Sequence, residues 1–508
     1  MSPPSRPKGA FRGAQHEGLP VSGHPPRSSS SGMAARLAPR SGLAGRRPAL
    51  GALAGLALLL GGCASMAPPY ERPVAPVAAS FPDAAPAAAA GGVAVEAAAD
   101  LDWPQFFTDP RLKALIALAL QNNRDLRVAV LNIERVRAQY QIQRAEQFPT
   151  VMLGATGLSQ PNSAGGSVYT AGLNITGYEL DLFGRVRSLG DAALQQYFAS
   201  EEARKAAQIS LIAAVANTYL TLLADDAQLE VARQTLDSRE QGLRLLKLKF
   251  DNGALSEYDL AQAVTLVEGA KAAVALLQRQ RAQGQNALVL LVGQPLPPDL
   301  PAPQPLQAHS LMAELPAGLP SQLLERRPDV RQAERQLQAA NANIGAARAA
   351  FFPRITLTGS IGLASDDLSG LFANRAWQFA PRITLPIFDA GANQANLQVS
   401  EANRDIALAQ YERSIQVAFR EVADALAGRA TYGEQLRAQQ AQTQAEQKRS
   451  DLAEIRFRNG VSSFLDVLDA QRALFQTQQA TIIAQAAQQQ NLVTLYKALG
   501  GGWKDAAD

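Results

Sequence analysis

RITLTGSIGL, at residues 354–363, indicates a β-strand with two different faces, because apolar and small polar residues alternate along it. From position 355 onward, apolar side chains or glycine stand at odd positions, and threonine, serine or glycine stand at even positions. The segment 378–388 alternates in the same way, and the segments 151–158 and 167–178 do so more weakly. Strands of about ten residues with one apolar and one polar face are typical of transmembrane β-barrels. The sequence therefore predicts four barrel strands in each chain.

Two prolines and the number of strands restrict this barrel. Pro381 and Pro386 fall within the fourth segment, and proline cannot donate a ladder hydrogen bond, so each needs an edge, a bulge or a strand end. Four strands cannot close a membrane barrel, which needs about eight at least. The barrel must therefore be shared between chains, so that two chains would supply eight strands and three would supply twelve.

The sequence contains an internal repeat, and each copy of the repeat includes two of these strands. Phe148-Pro149 matches Phe352-Pro353, and Asn252-Gly253 matches Asn459-Gly460, each within a longer similar stretch. In each repeat we expect a helix (109–147 and 321–350), two strands, a long helix (185–251 and 392–458) and a return helix after the Asn-Gly turn. A helix of about 65 residues is a rod of about 100 Å. The first long helix carries apolar residues every seventh position, which is the spacing of a supercoiled seam.

An export signal precedes the first repeat. Four arginines and an apolar run at 49–60 lead to Leu60-Gly61-Gly62-Cys63, and this order is typical of a cleaved signal peptide. The run is too short for a transmembrane helix, which needs about 20 apolar residues. The last four residues look like a lipobox, so we expect diacylglycerol and an N-acyl chain on Cys63. The alternative is an ordinary secretory signal with an incidental cysteine beside the cleavage site.

These features divide the chain into six regions. We expect a leader and lipoprotein signal peptide at 1–62 with its true start at Met33, a lipid anchor and Ala/Pro-rich tether at 63–100, a first repeat at 101–293, a linker at 294–320, a second repeat at 321–500 and a tail at 501–508.

The composition argues against several classes of function. Cys63 is the only cysteine, and His309 is the only histidine after the leader, so a disulfide framework and a histidine or cysteine metal site are excluded. After residue 62 the chain has 40 basic and 44 acidic residues, which is not the charge of a nucleic-acid-binding protein. No set of nucleophile, base and orienting residue is visible, so we do not expect an enzyme.

Several motifs together carry a resemblance to a known family. They are the lipobox, ELDLFGR at 179–185, LPIFDAG at 385–391, FLDVLDA at 464–470 and LYKALGGGW at 495–503. With them the chain resembles the TolC-like outer membrane efflux factors, in the lipoprotein branch of the NodT/OprM type. The resemblance covers nearly everything from Cys63 to Trp503.

The resemblance implies a mixed α/β membrane protein that acts as a homotrimer. A twelve-stranded barrel in the outer membrane, with four strands from each chain, would continue into a long periplasmic α-helical barrel. This duct would passively conduct substrates from an inner-membrane transporter of the RND class and a periplasmic adaptor to the exterior, as part of a tripartite efflux pump. It would need no cofactor besides the lipid on Cys63, and it would contact outer membrane lipid.

The resemblance also implies two functional regions near the Asn-Gly turns. Acidic rings would line a periplasmic gate, and the turns would form tips that dock the adaptor. The gate residues would be Leu465, Asp466, Asp469, Tyr258, Asp259, Phe457 and Ser462, and the docking tips would be Asn252, Gly253, Asn459 and Gly460. The structural alternatives are acids that stabilise helix starts and turn residues chosen only for their backbone conformation.

Two other functions compete with the efflux duct. The first is the outer membrane component of a type I protein secretion system, which shares the fold. The second is a periplasmic structural coiled-coil lipoprotein with two small hairpins and no barrel.

Overall fold

The computed structural model describes residues 65–81, 101–159, 166–306 and 325–503. In this part of the chain the elements follow one another as α1 (Trp103–Phe106), α2 (Pro110–Asn122), α3 (Arg124–Ala145), β1 (Val151–Leu158), β2 (Val168–Leu180), α4 (Arg185–Asp251), α5 (Glu257–Val292), α6 (Pro328–Ala349), β3 (Arg354–Ser365), β4 (Arg375–Thr384), α7 (Ala392–Arg458) and α8 (Phe464–Ala498). Cys63, the leader, most of the tether and residues 307–324 of the linker and second repeat lie outside the described residues.

The four strands form one antiparallel sheet in the order β1-β2-β3-β4. The alternation predicted from the sequence is present, since Ile355 lies opposite Ile383 and Ile361 lies opposite Trp377 on a single face. Trp377 is 77% exposed, so this face is apolar and open to its surroundings. The outer strands β1 and β4 each have one neighbour within the described chain.

A bulge in β2 keeps the apolar face continuous. The register with β3 shifts between Ile175 and Tyr178, and Gly177 there has a φ of 68°. One extra residue reverses the alternation of a strand. As a result Tyr178 and Leu180 stay on the same face as their β3 partners Leu357 and Ile355.

The fourth strand differs from the predicted 378–388. It begins earlier, at Arg375, and ends at Thr384, because Pro386 two residues later cannot donate a ladder hydrogen bond. Pro381 remains inside the strand, paired with Leu357, and is tolerated in the single chain because β4 there has a neighbouring strand on one side only.

The long helices α4 and α7 have 67 residues each and run through two helical layers. Beside the sheet the packing order is α3-α4-α6-α7, and toward the Asn-Gly turns it is α5-α4-α8-α7. By length and composition α4 and α5 each contain an 18-residue window apolar enough to cross a membrane. Core helices pass the same test, and half of the α4 window is buried inside the protein.

The first predicted helix, 109–147, is in fact two helices. The chain is extended at Asn123, with a ψ of 130°, and the side chain of Asn123 accepts a hydrogen bond from the Leu126 amide at 2.9 Å to begin α3. Asparagine competes for backbone hydrogen bonds in this way and so favours helix starts over helix interiors. The helix predicted at 321–350 is interrupted at the matching position, Arg327, which precedes α6.

The core lies where these helix starts meet the ends of α5 and α8. The ring of Phe106 stacks on that of Tyr496 with 4.1 Å between centroids, and Tyr219 donates a hydrogen bond to the buried carboxylate of Asp109 at 2.9 Å. Burial and the Asp109 charge together raise the pKa of Tyr219. The tyrosine therefore stays neutral and keeps this hydrogen bond over the physiological pH range.

An N-terminal strap, residues 65–81, lies along the helices. Arg72 and Tyr70 both donate to the buried carboxylate of Glu334 in α6, at 2.8 Å from the Arg72 Nε and 3.1 Å from the Tyr70 hydroxyl. Further along, Phe81 stacks on Phe419 of α7 with 5.0 Å between centroids. The strap is therefore held by specific contacts near its middle and at its C-terminal end.

Candidate functional site

The two Asn-Gly turns close in the same way. Gly253 has a φ of 72° and Gly460 a φ of 71°, a left-handed conformation that glycine adopts without steric cost. The side chain of Asn252 donates to the Leu248 carbonyl at 2.6 Å, and that of Asn459 donates to the Ile455 carbonyl at 2.7 Å. Each of these carbonyls also accepts the backbone N–H of the same asparagine, at 3.3 Å for Leu248 and 3.1 Å for Ile455, so the side chain adds a second hydrogen bond at the end of each helix. The four predicted tip residues are therefore exposed points of rigid turns.

Two of the predicted gate acids begin helices. Asp259 accepts a hydrogen bond from the Ser256 hydroxyl at 2.6 Å at the start of α5. Asp466 accepts from the amide and the hydroxyl of Ser463, at 3.2 and 3.3 Å, at the start of α8. The bond from the Ser463 amide to Asp466 completes a capping box, whereas the Asp259 carboxylate bonds only the hydroxyl of its cap residue. The alternative given above for these acids is thus present in the single chain.

Asp469 has a neighbour that the sequence analysis missed. Arg472, one turn further along α8, lies 3.3 Å from the Asp469 carboxylate, and both side chains are about half exposed. The spacing of three residues on a helix is the signal that could have identified this pair. Asp469 is therefore accompanied by a cation, and Asp466, Asp469 and Arg472 together carry less net negative charge than the two acids alone.

Phe457 joins the two helical hairpins near their tips. Its ring lies 5.2 Å from that of Phe464, in a small cluster with Val467 of α8. On its other side the Lys249 ammonium of α4 lies 4.7 Å from the Phe457 ring centroid. An ammonium over an aromatic face is a favourable cation–π contact. The two hairpins therefore meet at this level through a cation–π contact.

A second contact of the same kind lies further from the tips. The guanidinium of Arg239 in α4 is 5.6 Å from the ring centroid of Phe475 in α8, and it donates to the Leu266 carbonyl of α5 at 3.1 Å. Burial lowers the pKa of Arg239, and the nearby charge of Arg472 lowers it further. Arg239 therefore connects three helices.

The remaining predicted gate residues are not engaged in comparable contacts. Tyr258 is 71% exposed and Leu465 is 47% exposed. The hydroxyl of Ser462 is buried without a hydrogen-bond partner among the described residues. Within those residues, histidine, cysteine and acidic side chains form no group of three that could hold a metal ion. The structure thus brings Phe457 to the junction of the hairpins and leaves Tyr258 and Leu465 at the surface of the single chain.

Comparison with known proteins places this architecture in a family. A family model described as outer membrane efflux protein matches residues 115–294 and 319–501. The toluene efflux pump outer membrane protein TtgC of Pseudomonas putida is 50% identical over 456 residues, covering 88% of this chain and 94% of that protein. The outer membrane protein OprJ of Pseudomonas aeruginosa is 48% identical over 459 residues, covering 88% of this chain and 95% of that protein.

Solved structures have the same fold. The open state of the MtrE outer membrane channel of Neisseria gonorrhoeae matches with a TM-score of 0.79 and 43% identity, covering 86% of this chain and 98% of that chain. A membrane protein from Pseudomonas aeruginosa matches with a TM-score of 0.80 and 46% identity, covering 87% and 98%. The mixed α/β channel fold and the outer membrane location predicted from the sequence are therefore confirmed. The chain belongs to the outer membrane efflux protein family, and it is an outer membrane channel of an efflux pump.

Proposed function

We propose that three copies of the chain close into one continuous duct, which is the exit component of a tripartite efflux pump. The observation that carries this proposal is the sheet with two free edges, β1 and β4, joined to a helical layer that ends with α3 on one side and α7 on the other. Edge strands in a membrane must be paired, because hydrocarbon offers no hydrogen bonds. Twelve strands from three chains satisfy the minimum for a barrel, and α3 of one copy then lies beside α7 of the next.

The hairpin ends form the gate of this duct in our proposal. Threefold symmetry turns Asp466 and Asp469 into rings of carboxylates, each Asp469 being partly neutralised by its Arg472. Leu465 narrows the same opening. Replacing Leu465 by alanine should raise the basal conductance of the purified channel in a planar bilayer, and an unchanged conductance would contradict its role.

The Asn-Gly turns dock the periplasmic adaptor in our proposal, two from each chain. A side chain built at Gly460 would meet no other atom within 4 Å, so the turn is open to a partner. Gly460→Trp should impair pump assembly while trimers persist. Retained export by this variant would argue against docking at the tips.

The lipid on Cys63 anchors the chain at the base of the barrel in our proposal. The strap begins at Ser65, whose hydroxyl lies 3.3 Å from that of Ser188, near the start of α4 and close to the end of β2. A lipid attached two residues before Ser65 would therefore be at the level of the membrane. Mass spectrometry of the mature N-terminal peptide tests this directly, and an unmodified cysteine would reject it.

We propose that the cargo consists of toxic organic compounds. The relatives are described as pumps for toluene, for solvents and for antibiotics. An RND transporter in the inner membrane would select the cargo and supply the energy, and the duct would transform nothing chemically.

Imaging tests the duct most directly. Negative-stain images of the detergent-purified protein should show a threefold tube about 130 Å long, from about 100 Å of helix and about 30 Å of barrel. Deleting the gene should sensitise the cell to organic solvents, and the intact gene should restore resistance. Monomeric particles in detergent would overturn the proposal.

A further inference from the structure

The two halves of the chain meet where β2 passes into α4. The ring of Phe183 stacks on that of Phe352 with 4.8 Å between centroids and 24° between planes. Beside them Glu179 accepts two hydrogen bonds from Arg185, at 2.8 and 2.7 Å, and lies 2.6 Å from Arg354. This junction inside the chain therefore has an aromatic contact and an ionic contact.

Both phenylalanines have counterparts in the other repeat. The sequence Leu-Asp-Leu-Phe ending at Phe183 corresponds to Leu-Pro-Ile-Phe ending at Phe388, and Phe352-Pro353 corresponds to Phe148-Pro149. The counterparts are exposed, Phe388 by 90% and Phe148 by 63%. Aromatic side chains so exposed at the rim of a membrane sheet indicate a surface that another molecule covers.

The counterparts lie at opposite free edges. Phe148 precedes β1 and Phe388 follows β4. In the chain, Leu180 pairs with Ile355, and the stacked phenylalanines lie three residues beyond this pair on each strand. If β4 pairs with β1 of a neighbouring copy in the same register, Phe388 of one copy meets Phe148 of the next.

We propose that Phe388 stacks on Phe148 of the neighbouring copy and so reproduces, between copies, the contact that Phe183 and Phe352 make within one. The occupant of this exposed surface is a second copy of the chain. The inference rests on the proposed trimer and specifies the register in which its sheets join.

The ionic half of the junction does not recur. The residues that correspond to Glu179 and Arg354 are Thr384 and Thr150, and the residue that corresponds to Arg185, the first of its long helix, is Ala392. The seam between copies therefore lacks this ionic contact. The stacking of Phe388 on Phe148 is then the contact that fixes the register between β4 of one copy and β1 of the next.

Cysteine crosslinking tests the pairing in the full-length protein. We expect Phe148→Cys combined with Phe388→Cys to give covalent dimers and trimers with a short bis-maleimide, whereas each single variant gives none. Phe183→Cys with Phe352→Cys is the positive control for reach, and it should react only within a chain. Phe148→Cys with Phe372→Cys is the negative control, because Phe372 is also exposed but lies in the loop at the other end of β4.

Light scattering separates the possible failures. Trimers that form but do not crosslink, while the positive control reacts, would overturn the aromatic pairing and leave the proposed duct intact. A wild-type protein that forms no trimers would overturn both.

Alanine variants keep the inference testable if the cysteine pair does not assemble. Phe148→Ala and Phe388→Ala should each lower the temperature at which trimers dissociate. Trimers of the double variant should dissociate at the same temperature as trimers of the less stable single variant, because all three variants lose the same aromatic contact. Additive shifts would overturn the pairing.

Discussion

Single residues near the tips show where sequence reasoning succeeded and where it did not. The turn residues Asn252 and Asn459 were predicted, because Asn-Gly specifies a local backbone conformation. The contact of Lys249 with Phe457 was missed. These two residues lie on different hairpins, and only their packing brings a charge on one helix over a ring on another.

We expect Lys249 to hold the hairpins together. Lys249→Ala should shift the closed-to-open balance of the trimer by about tenfold or more, since three exposed cation–π contacts of about 0.5–1 kcal/mol each are lost. Single-channel recording measures this as a higher basal open probability. Lys249→Arg should remain closed, and Lys247→Ala, an exposed lysine two residues earlier, serves as the control. Wild-type behaviour of Lys249→Ala would disprove the contact's role.

Asp225 provides a pH-dependent prediction. Burial raises its pKa, and the neighbouring charge of Asp226 raises it further. Above the ordinary pKa of about 3.9 the unfolded chain loses this proton while the folded chain retains it, so folding loses stability as pH rises through this interval. Asp225→Asn should therefore raise the melting temperature at pH 7 and give no gain near pH 3.

Circular dichroism melts at the two pH values measure this difference. In a large domain a change of about 1 kcal/mol in the free energy of unfolding moves the melting temperature by roughly 2–4 °C. Asp226→Asn is the comparison variant, because it removes the charge that raises the pKa of Asp225 but also breaks the ion pair of Asp226 with Arg281, so its gain should be smaller than that of Asp225→Asn. An equal gain at both pH values for Asp225→Asn would refute the explanation.

At the scale of elements, the long helices and most strands were predicted from hydrophobic periodicity and from the glycine, proline and Asn-Gly residues at element ends. The bounds of α4 and α7 agree with the prediction because Gly184 and Gly391 precede them and Asn-Gly ends them. The break at Asn123 was not predicted, since an asparagine within an apolar helical pattern is a weak local signal and a long-range contact supports the break. Its side chain donates to the Leu291 carbonyl of α5 at 2.9 Å, and a pattern within one helix does not contain that carbonyl.

A similar connection between helices recurs at Arg327 in the second repeat, where the side chain is charged. Arg327 donates to the Ala498 carbonyl of α8 at 2.9 Å and to Glu421 of α7 at 2.8 Å. Its guanidinium also binds Asp329, with Nη2 at 2.6 Å from the carboxylate. These carboxylates keep the pKa of Arg327 raised although its burial opposes this. Arg327 therefore joins three helices where Asn123 joins two.

We expect Arg327 and Asn123 to contribute different amounts to the free energy of unfolding. Arg327→Ala should destabilise the protein by about 3 kcal/mol, because it leaves a partly buried ionic network without its cation. Asn123→Ala removes one cap and one hydrogen bond and should cost about 1–2 kcal/mol. Urea unfolding of the two variants compares them. Equal losses of unfolding free energy would mean that the charges around Arg327 add nothing to stability.

At the scale of the whole molecule, the strap joins the N-terminal segment to the helical body. Gly345 of α6 makes this approach possible, because a Cβ there would lie 2.7 Å from the Ala67 amide nitrogen and 2.6 Å from the Ser188 hydroxyl. Composition predicted a tether in this region, but it could not show that residues 65–81 are bound along the helices.

Gly345→Ala should displace the strap. Amide hydrogen exchange of residues 65–72 should accelerate while the exchange of α4 stays slow. Gly269→Ala is the matched control, since a side chain there meets no atom within 4 Å, and it should stabilise its helix by about 1 kcal/mol. Unchanged exchange in the strap of Gly345→Ala would show that the strap adapts to the methyl group.

The two free edges of the sheet also determine the order of events during biogenesis. A lone chain entering the hydrocarbon would expose the backbone of β1 and β4, at a cost of several kcal/mol for each unsatisfied group. Association must therefore come before insertion, and the rate of channel formation depends steeply on how often chains encounter one another. A lipid at the N-terminus would confine that search to a surface, so that newly made chains find partners by lateral diffusion while their edges are still in water.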